Sequence, residues 1–174
     1  MQKEAIIALL EERHQELFAF LEQQDPDMWE AGPQGKWTTG QQALHLLQSI
    51  KTLNTALSIP QFLLKLKFGT SNRECRNYDA VVKRYKERLE QSKGVVFKPS
   101  QNMKLPNLND KSYIINRLQT ENKKLQYKTS KWTDDALNKR ILPHPLMGKM
   151  PVRELVMWTA YHVQHHLNQL KENY

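Results

Sequence analysis

Trp158-Thr159-Ala160-Tyr161-His162-Val163-Gln164-His165-His166-Leu167-Asn168-Gln169 lies in the last apolar-periodic segment of the chain, roughly Pro151 to Lys171. Val152, Val156, Val163, Leu167 and Leu170 recur there at spacings that fall on one side of a 3.6-residue helix. His162 and His166 are four residues apart, so their imidazoles stand one above the other beside that stripe. Two neutral imidazoles one turn apart can grip a divalent ion, as in HExxH zinc sites. The glutamate of that motif is absent, which excludes a zincin-type protease. Histidine pairs at this spacing also occur on helices that hold no ion, so a metal site needs a further ligand from elsewhere. His165 points roughly 100° away from His166, which places it at the surface or behind the ligands rather than among them.

The 174 residues are one domain's worth, residues 1–174, and 39% apolar residues suffice for a single core. Only six glycines interrupt a chain dominated by periodic segments, which predicts an all-α domain. The opening MQKEAIIALLEERHQEL reads as an amphipathic helix without the uncharged run of a signal peptide. No stretch reaches the 18 or so apolar residues of a membrane span, and no membrane partner is expected. The lone Cys75 has no internal disulfide partner, which suits a reducing cytoplasm, and it reads as an inert thiol. The net charge of +8 is uneven: residues 62–104 hold 11 Lys/Arg against four acids. Such a segment can meet nucleic acid, an anionic membrane or a small anion. It carries no RNA-binding signature, zinc-finger spacing or interleaved stacking aromatics, so a solvated helix face is expected and nucleic acid is not.

Working back from the last helix, the periodicity predicts four further helices. The first runs from about Lys3 to Gln24, with Ile6, Leu9, Leu10, Leu17, Phe20 and Leu21 as its apolar side, and stops at Asp25-Pro26. The connector to Lys36 is a loop with Pro33 and two glycines. Thr-x-x-Gln, at Thr38–Gln41 or Thr39–Gln42, is a capping-box pattern that starts the second helix. Its stripe is Leu46, Ile50, Leu53 and Leu57, and it ends before Pro60. A third spans about Tyr78 to Ser92, and a fourth about Asp110 to Thr129. Val95 to Asn109 reads as a loop over an open end, Thr133 to Asn138 as a turn, and Leu142-Pro-His-Pro-Leu-Met-Gly148 as a stiff approach to the last helix. Pro151 suits the first position of that helix. Long helices joined by loops predict a four-helix bundle.

His45 sits early in the second helix beside the Leu46–Ile50 stripe and can lean into the space between helices. If the second and last helices are neighbours, it meets His162 and His166. His14 and His144 compete for that place: His14 lies among charged residues and is expected to be solvated, and His144 precedes the last helix.

Trp37-Thr38-x-x-Gln41-x-x-x-His45, His144-Pro145-x-x-Gly148 and Trp158-x-x-x-His162-x-x-His165-His166-x-x-Gln169 follow one another in this order. In order and spacing they resemble the DinB/YfiT-like superfamily, and most of all its bacillithiol S-transferase branch. The resemblance implies a four-helix bundle with one divalent metal held by His45, His162 and His166. It places His144, His165 and Gln169 behind the ligands or toward substrate. It also implies thiol-dependent transfer or isomerisation using bacillithiol, mycothiol or glutathione as co-substrate, and leaves room for a homodimer. Where the transferase branch commonly carries Asp-Ser-His after the helix-two histidine, this chain has Gln48-Ser49-Ile50, which alters the substrate-side surface.

Three neutral ligands leave a metal its full charge and an open position, where it lowers the pKa of a bound thiol or water. Imidazole suits zinc, nickel, iron and copper; the expected ion is a divalent zinc, nickel, iron or manganese. A basic rim from residues 62–104 would hold an anionic thiol, and an electrophilic small molecule would enter at the loop-lined mouth. Two other classes stand beside this reading: a hydrolase activating water with the same three histidines, and a non-catalytic, stress-related metal-binding bundle.

Overall fold

The computed structural model describes residues 1–92 and 103–173. Seven helices occur among them: α1 (Lys3–Gln23), α2 (Thr39–Ala56), α3 (Gln61–Phe68), α4 (Tyr78–Gln91), α5 (Lys111–Lys131), α6 (Asp134–Lys139) and α7 (Val152–Asn173). Between α6 and α7 lies an antiparallel hairpin, β1 (Ile141–His144) and β2 (Gly148–Pro151). The four-helix bundle consists of α1, α5, α2 and α7 in that order around the core, with α7 closing back onto α1. Helices α1 and α2 follow each other in sequence yet sit on a diagonal, and the loop with its 3-10 turn at Pro26–Trp29 makes the crossing. Helix α4 lies outside the bundle against α7.

The apolar stripes read for α1, α2 and α7 face inward. Ile6, Leu10, Leu17 and Leu21 of α1 and Val152, Val156, Leu167 of α7 are fully buried, as are Leu118 and Leu125 of α5. Phe18 joins them, while Leu9 and Phe20 are only partly covered. No helix among the described residues is long and apolar enough to cross a membrane.

Several local expectations change. Thr133 caps α6, accepting a hydrogen bond from the Ala136 N–H, so the expected turn is a short helix. The approach to α7 is the hairpin, with a three-residue loop closed by Gly148 at φ +73, a left-handed conformation that glycine adopts without strain. Helix α3 was not marked in the sequence at all; only Leu64 of its eight residues is buried. His14 is buried rather than solvated, at 1% exposure, with Nδ1 2.7 Å from the Leu10 carbonyl oxygen. Its charged sequence neighbours project elsewhere on α1, while Leu10 and Phe18, four residues to either side, share its inward face. Of the expected loop from Val95 to Asn109, residues 95–102 lie outside the described residues; Leu108–Asp110 forms a 3-10 turn.

The start of α2 is fixed twice. Thr38 Oγ1 accepts from the Gln41 N–H and Gln41 Oε1 accepts from the Thr38 N–H, the reciprocal pair that Thr-x-x-Gln predicted. Trp29, itself buried with its indole N–H donating to the Asn107 carbonyl, lies against Gly40. A Cβ at Gly40 would stand 2.9 Å from both the Trp29 ring and its carbonyl oxygen, so the first turn of α2 requires glycine there. This pins the rotation of α2 and therefore the direction in which His45 points.

The first turn of α7 is fixed by a buried carboxylate. Glu154 is 0% exposed. Arg73 donates to it through both terminal nitrogens, at 2.5 and 2.8 Å. Arg76 donates through its backbone N–H at 2.7 Å and its guanidinium at 3.1 Å. Burial pushes the Glu154 carboxyl up, but these donors more than offset it and hold the group below its ordinary range. Two of the eleven cations of residues 62–104 are thus engaged in holding α7.

Candidate metal centre

Helices α2 and α7 run side by side, and each offers two polar residues to the gap: Gln42 and His45, one turn apart, and His162 and His166, one turn apart. The His162 Nε2 lies 3.2 Å from the His45 Nε2 and 3.1 Å from the His166 Nε2. The three candidate ligand nitrogens fall within 4.8 Å of one another. Adjacent nitrogens around a tetrahedral zinc, with bonds of about 2.0–2.1 Å, stand about 3.3 Å apart, so the spacing fits an ion at their centre.

The protonation pattern points the same way. Gln42 Oε1 is 3.0 Å from the His166 Nδ1, accepting its proton, which leaves the His166 Nε2 with a lone pair turned toward the other two rings. Burial lowers the His45 pKa to about 4, with His165 adding to the shift. His162 and His166 lie well below their ordinary value, again through burial first and the neighbouring imidazoles second. Three neutral rings therefore face one another at physiological pH. Their mutual contacts run through the His162 Nε2, and one cation among the three nitrogens would take a lone pair from each.

Two tryptophans hold the rings in place. Trp158 stacks on His162 with centroids 4.4 Å apart and an interplanar angle of 21°. Trp37 covers the other side, 5.0 Å from His45 and stacked over His166 at 6.4 Å and 10°. Tyr85 of α4, buried at 5% exposure, sets its ring edge-on to Trp158, His162 and His165. Burial raises the Tyr85 phenol well above its ordinary value, with Tyr161 adding to it.

The three residues expected around the ligands line the same cavity. His144 Nδ1 accepts the backbone N–H groups of Leu146 and Met147, so the proton of the neutral ring is on Nε2. The ring meets Trp158 at 4.2 Å and burial lowers its pKa to about 4. His165 is partly exposed, outside the cluster of three, with its centroid 5.3 Å from that of His166. Gln169 lies one turn beyond His165 on the cavity wall. His14, the other competitor for the third position, is held in the core of α1.

The cavity encloses about 870 Å³. Its described lining contains no Asp or Glu, and one cationic side chain, Lys36, which donates to Asn173 Oδ1. The basic rim expected from residues 62–104 is not among the described lining: that segment contributes Phe68, Tyr85 and Leu89. Gln42 and Tyr85 escaped the sequence reading. The sequence offers Gln42 as the partner of a Thr39 cap that it does not make, and Tyr85 is one of two buried residues on a helix dominated by charge.

The DinB superfamily matches residues 10–170. Among solved structures, YfiT from Bacillus subtilis, described as a probable metal-dependent hydrolase with an unusual four-helix bundle topology, superposes with a TM-score of 0.63 at 20% identity. The match covers 98% of this chain and 85% of that one. TT2238, described as a four-helix bundle protein, gives 0.51 at 17% identity over 98% of this chain and 99% of that one. These likenesses carry the fold. No curated protein sequence matches the chain. The extent of the family match shows that the chain belongs to the DinB superfamily.

Proposed function

We propose that this member of the DinB superfamily is a metal-dependent S-transferase, joining a low-molecular-weight thiol to an electrophilic small molecule. The observation that carries this reading is the convergence of three neutral imidazole nitrogens on a cavity of about 870 Å³ whose described lining has no carboxylate. A cavity of that size is at the upper end for one small ligand and admits two. A divalent zinc, nickel, iron or manganese ion held by His45, His162 and His166 would supply a full positive charge that lowers the pKa of a thiol.

The chain's own groups do the rest. His165 stands at the edge of the ligand cluster as a neutral ring, its pKa lowered by burial, and can take the thiol proton toward solvent. The His144 Nε2–H can donate to a leaving group, and Tyr85 and Trp158 keep water from the reacting atoms. In the net change a carbon–sulfur bond forms, the bond from carbon to its leaving group breaks, and the thiol proton ends on the leaving group or in water.

A second reading is hydrolysis, favoured by the likeness to YfiT and its description as a probable metal-dependent hydrolase. It uses the same three histidines and asks for a base acting on water, for which His165 is the nearest group outside the ligands. The test is turnover of halogenated and epoxide electrophiles with and without thiol, on protein loaded with each metal in turn. Product formation that requires thiol and is lost in His166→Ala supports transfer. Equal turnover without thiol would establish the hydrolase.

A further inference from the structure

The cavity differs in character at its two ends: beyond Gln48, Ser49 and Thr52, which line it on α2 next after His45, one end is apolar, and the other holds its cation. On α2, Leu53 and Ala56 lie eight and eleven residues beyond His45, about 12 and 16 Å along the helix. On α7, which runs the opposite way, Leu155 lies seven residues before His162, about 10 Å in the same direction. Leu142 of β1, Phe68 at the end of α3 and Ile59 complete this arm. Leu53, Leu142 and Leu155 form its buried wall, and Ile59, 37% exposed, its outer end. No charged side chain is part of it among the described residues.

The other arm has the opposite character. Gln169 and Asn173 lie seven and eleven residues past His162, about 10 and 16 Å away on the far side of the cluster. Lys36, just ahead of α2, donates to Asn173 there. This is the one place in the described lining where an anion finds a cation.

Resting on the transferase reading above, we propose that the two arms are separate half-sites: the apolar arm takes an electrophile with an extended hydrocarbon or aryl body, and the arm at Lys36 takes an anionic thiol. The two reactants then meet end to end at the histidine cluster, with the electrophilic carbon at the head of its hydrocarbon and the sulfur at the head of its anionic group. A hydrophobic arm binds by area removed from water, so affinity follows chain length until the arm is full.

The experiment separates the arms and needs no turnover. Neutral n-alkanols from butanol to decanol displace N-phenyl-1-naphthylamine fluorescence from the metal-loaded protein. The expected result is a gain of roughly fourfold in affinity per methylene, ending in a plateau. Ala56→Phe, which fills the arm, removes the gain for long chains and spares butanol. Ile59→Lys, at the exposed outer end where folding is not at risk, shortens the plateau by charging its lip, and both variants keep their metal content. For the second arm, mercaptosuccinate binding is compared with 2-mercaptoethanol; Lys36→Gln lowers the preference for the anionic thiol by up to roughly fivefold, the range for an exposed charge pair.

Affinity that does not change with chain length, or variants that treat butanol and decanol alike, would overturn the apolar half-site. An unchanged thiol preference in Lys36→Gln would overturn the anionic one. Chain-length-dependent binding without thiol-dependent turnover would retain the arm while ending the transferase reading; thiol-dependent turnover with length-independent binding would do the reverse.

Discussion

Helix α7 carries two buried polar clusters eight residues apart, and they are built on opposite terms. At Glu154 every lone pair has a donor: two arginines and a backbone N–H surround the carboxylate, and its hydrogen bonding is complete. At His162 the opposite holds, because two Nε2 atoms within 3.2 Å confront a third and the described lining has no carboxylate to stabilise a protonated ring. Neutral rings sharing one nitrogen are held less fully than the Glu154 carboxylate, and a cation among them would complete the cluster. The difference separates a cluster that holds the fold from one whose geometry fits an ion.

Breaking the closed cluster has the largest expected effect. Glu154→Ala strands two guanidinium groups and a backbone N–H, at a cost of about 3 to 4 kcal/mol, near the lower end for a broken buried ion pair because both arginines remain partly exposed. Urea unfolding reads this, and a loss under 1 kcal/mol would mean that the clamp is ornamental.

A solitary buried histidine supplies the intermediate case. His14 is 1% exposed, and burial, outweighing its bond to the Leu10 carbonyl, lowers its pKa from 6.5 to about 4. The unfolded chain therefore takes up the proton first as the pH falls. The stability due to the neutral ring is present in full above pH 6.5 and is lost as the pH falls through 4, about 3 kcal/mol in all. His14→Gln should flatten the corresponding part of a pH-stability curve between 6.5 and 4; an unchanged slope would assign the acid sensitivity to the other buried histidines.

The open cluster is tested by completing and emptying it. Metal at a hundredfold excess over its dissociation constant adds about 2.7 kcal/mol by linkage. Chelation should therefore lower the melting temperature and leave the helical circular dichroism nearly intact, since the apolar core is formed by α1, α2, α5 and α7 without it. Loss of the helices on adding chelator would make the ion a structural staple. The smallest effect is the most discriminating: His165→Ala should keep the metal and cost about 1 kcal/mol or less, whereas His166→Ala loses most of the metal. Equal metal loss in both would make His165 a ligand as well.

These contrasts also mark what was legible in the sequence. The bundle was, because α1, α2 and α7 carry apolar stripes at 3.6-residue spacing, and the start of α2 was, because its cap is a local reciprocal motif; α5, whose buried face includes Glu121, Asn122 and Thr129, is legible in extent alone. The spacing of His162 and His166 placed two rings on one side of a helix, but His45 depended on α2 and α7 being neighbours, which no local pattern encodes. Helix α3 left no trace because Phe62 and Leu66, 69% and 83% exposed, face outward and break the stripe. The hairpin was hidden by Pro143 and Pro145, which argue against a strand interior but are tolerated in a two-stranded ribbon. Gln42 acts across 124 residues of sequence, and its reach to His166 exists only once the helices have docked.

The clamp at Glu154 has a further consequence for the segment that supplies it. Residues 69–77, with Gly69, Arg73 and Arg76, have the composition of an exposed connector and offer trypsin two cleavage points. In the folded chain both side chains are turned onto a carboxylate that is wholly enclosed, and the Arg76 backbone is bonded to it as well. A protease must bind an extended strand with the arginine free, so cutting there waits for the first turn of α7 to let go. The rate of nicking at Arg73 and Arg76 is thus a clock for the opening of that turn, and it runs in the wild-type chain without any label.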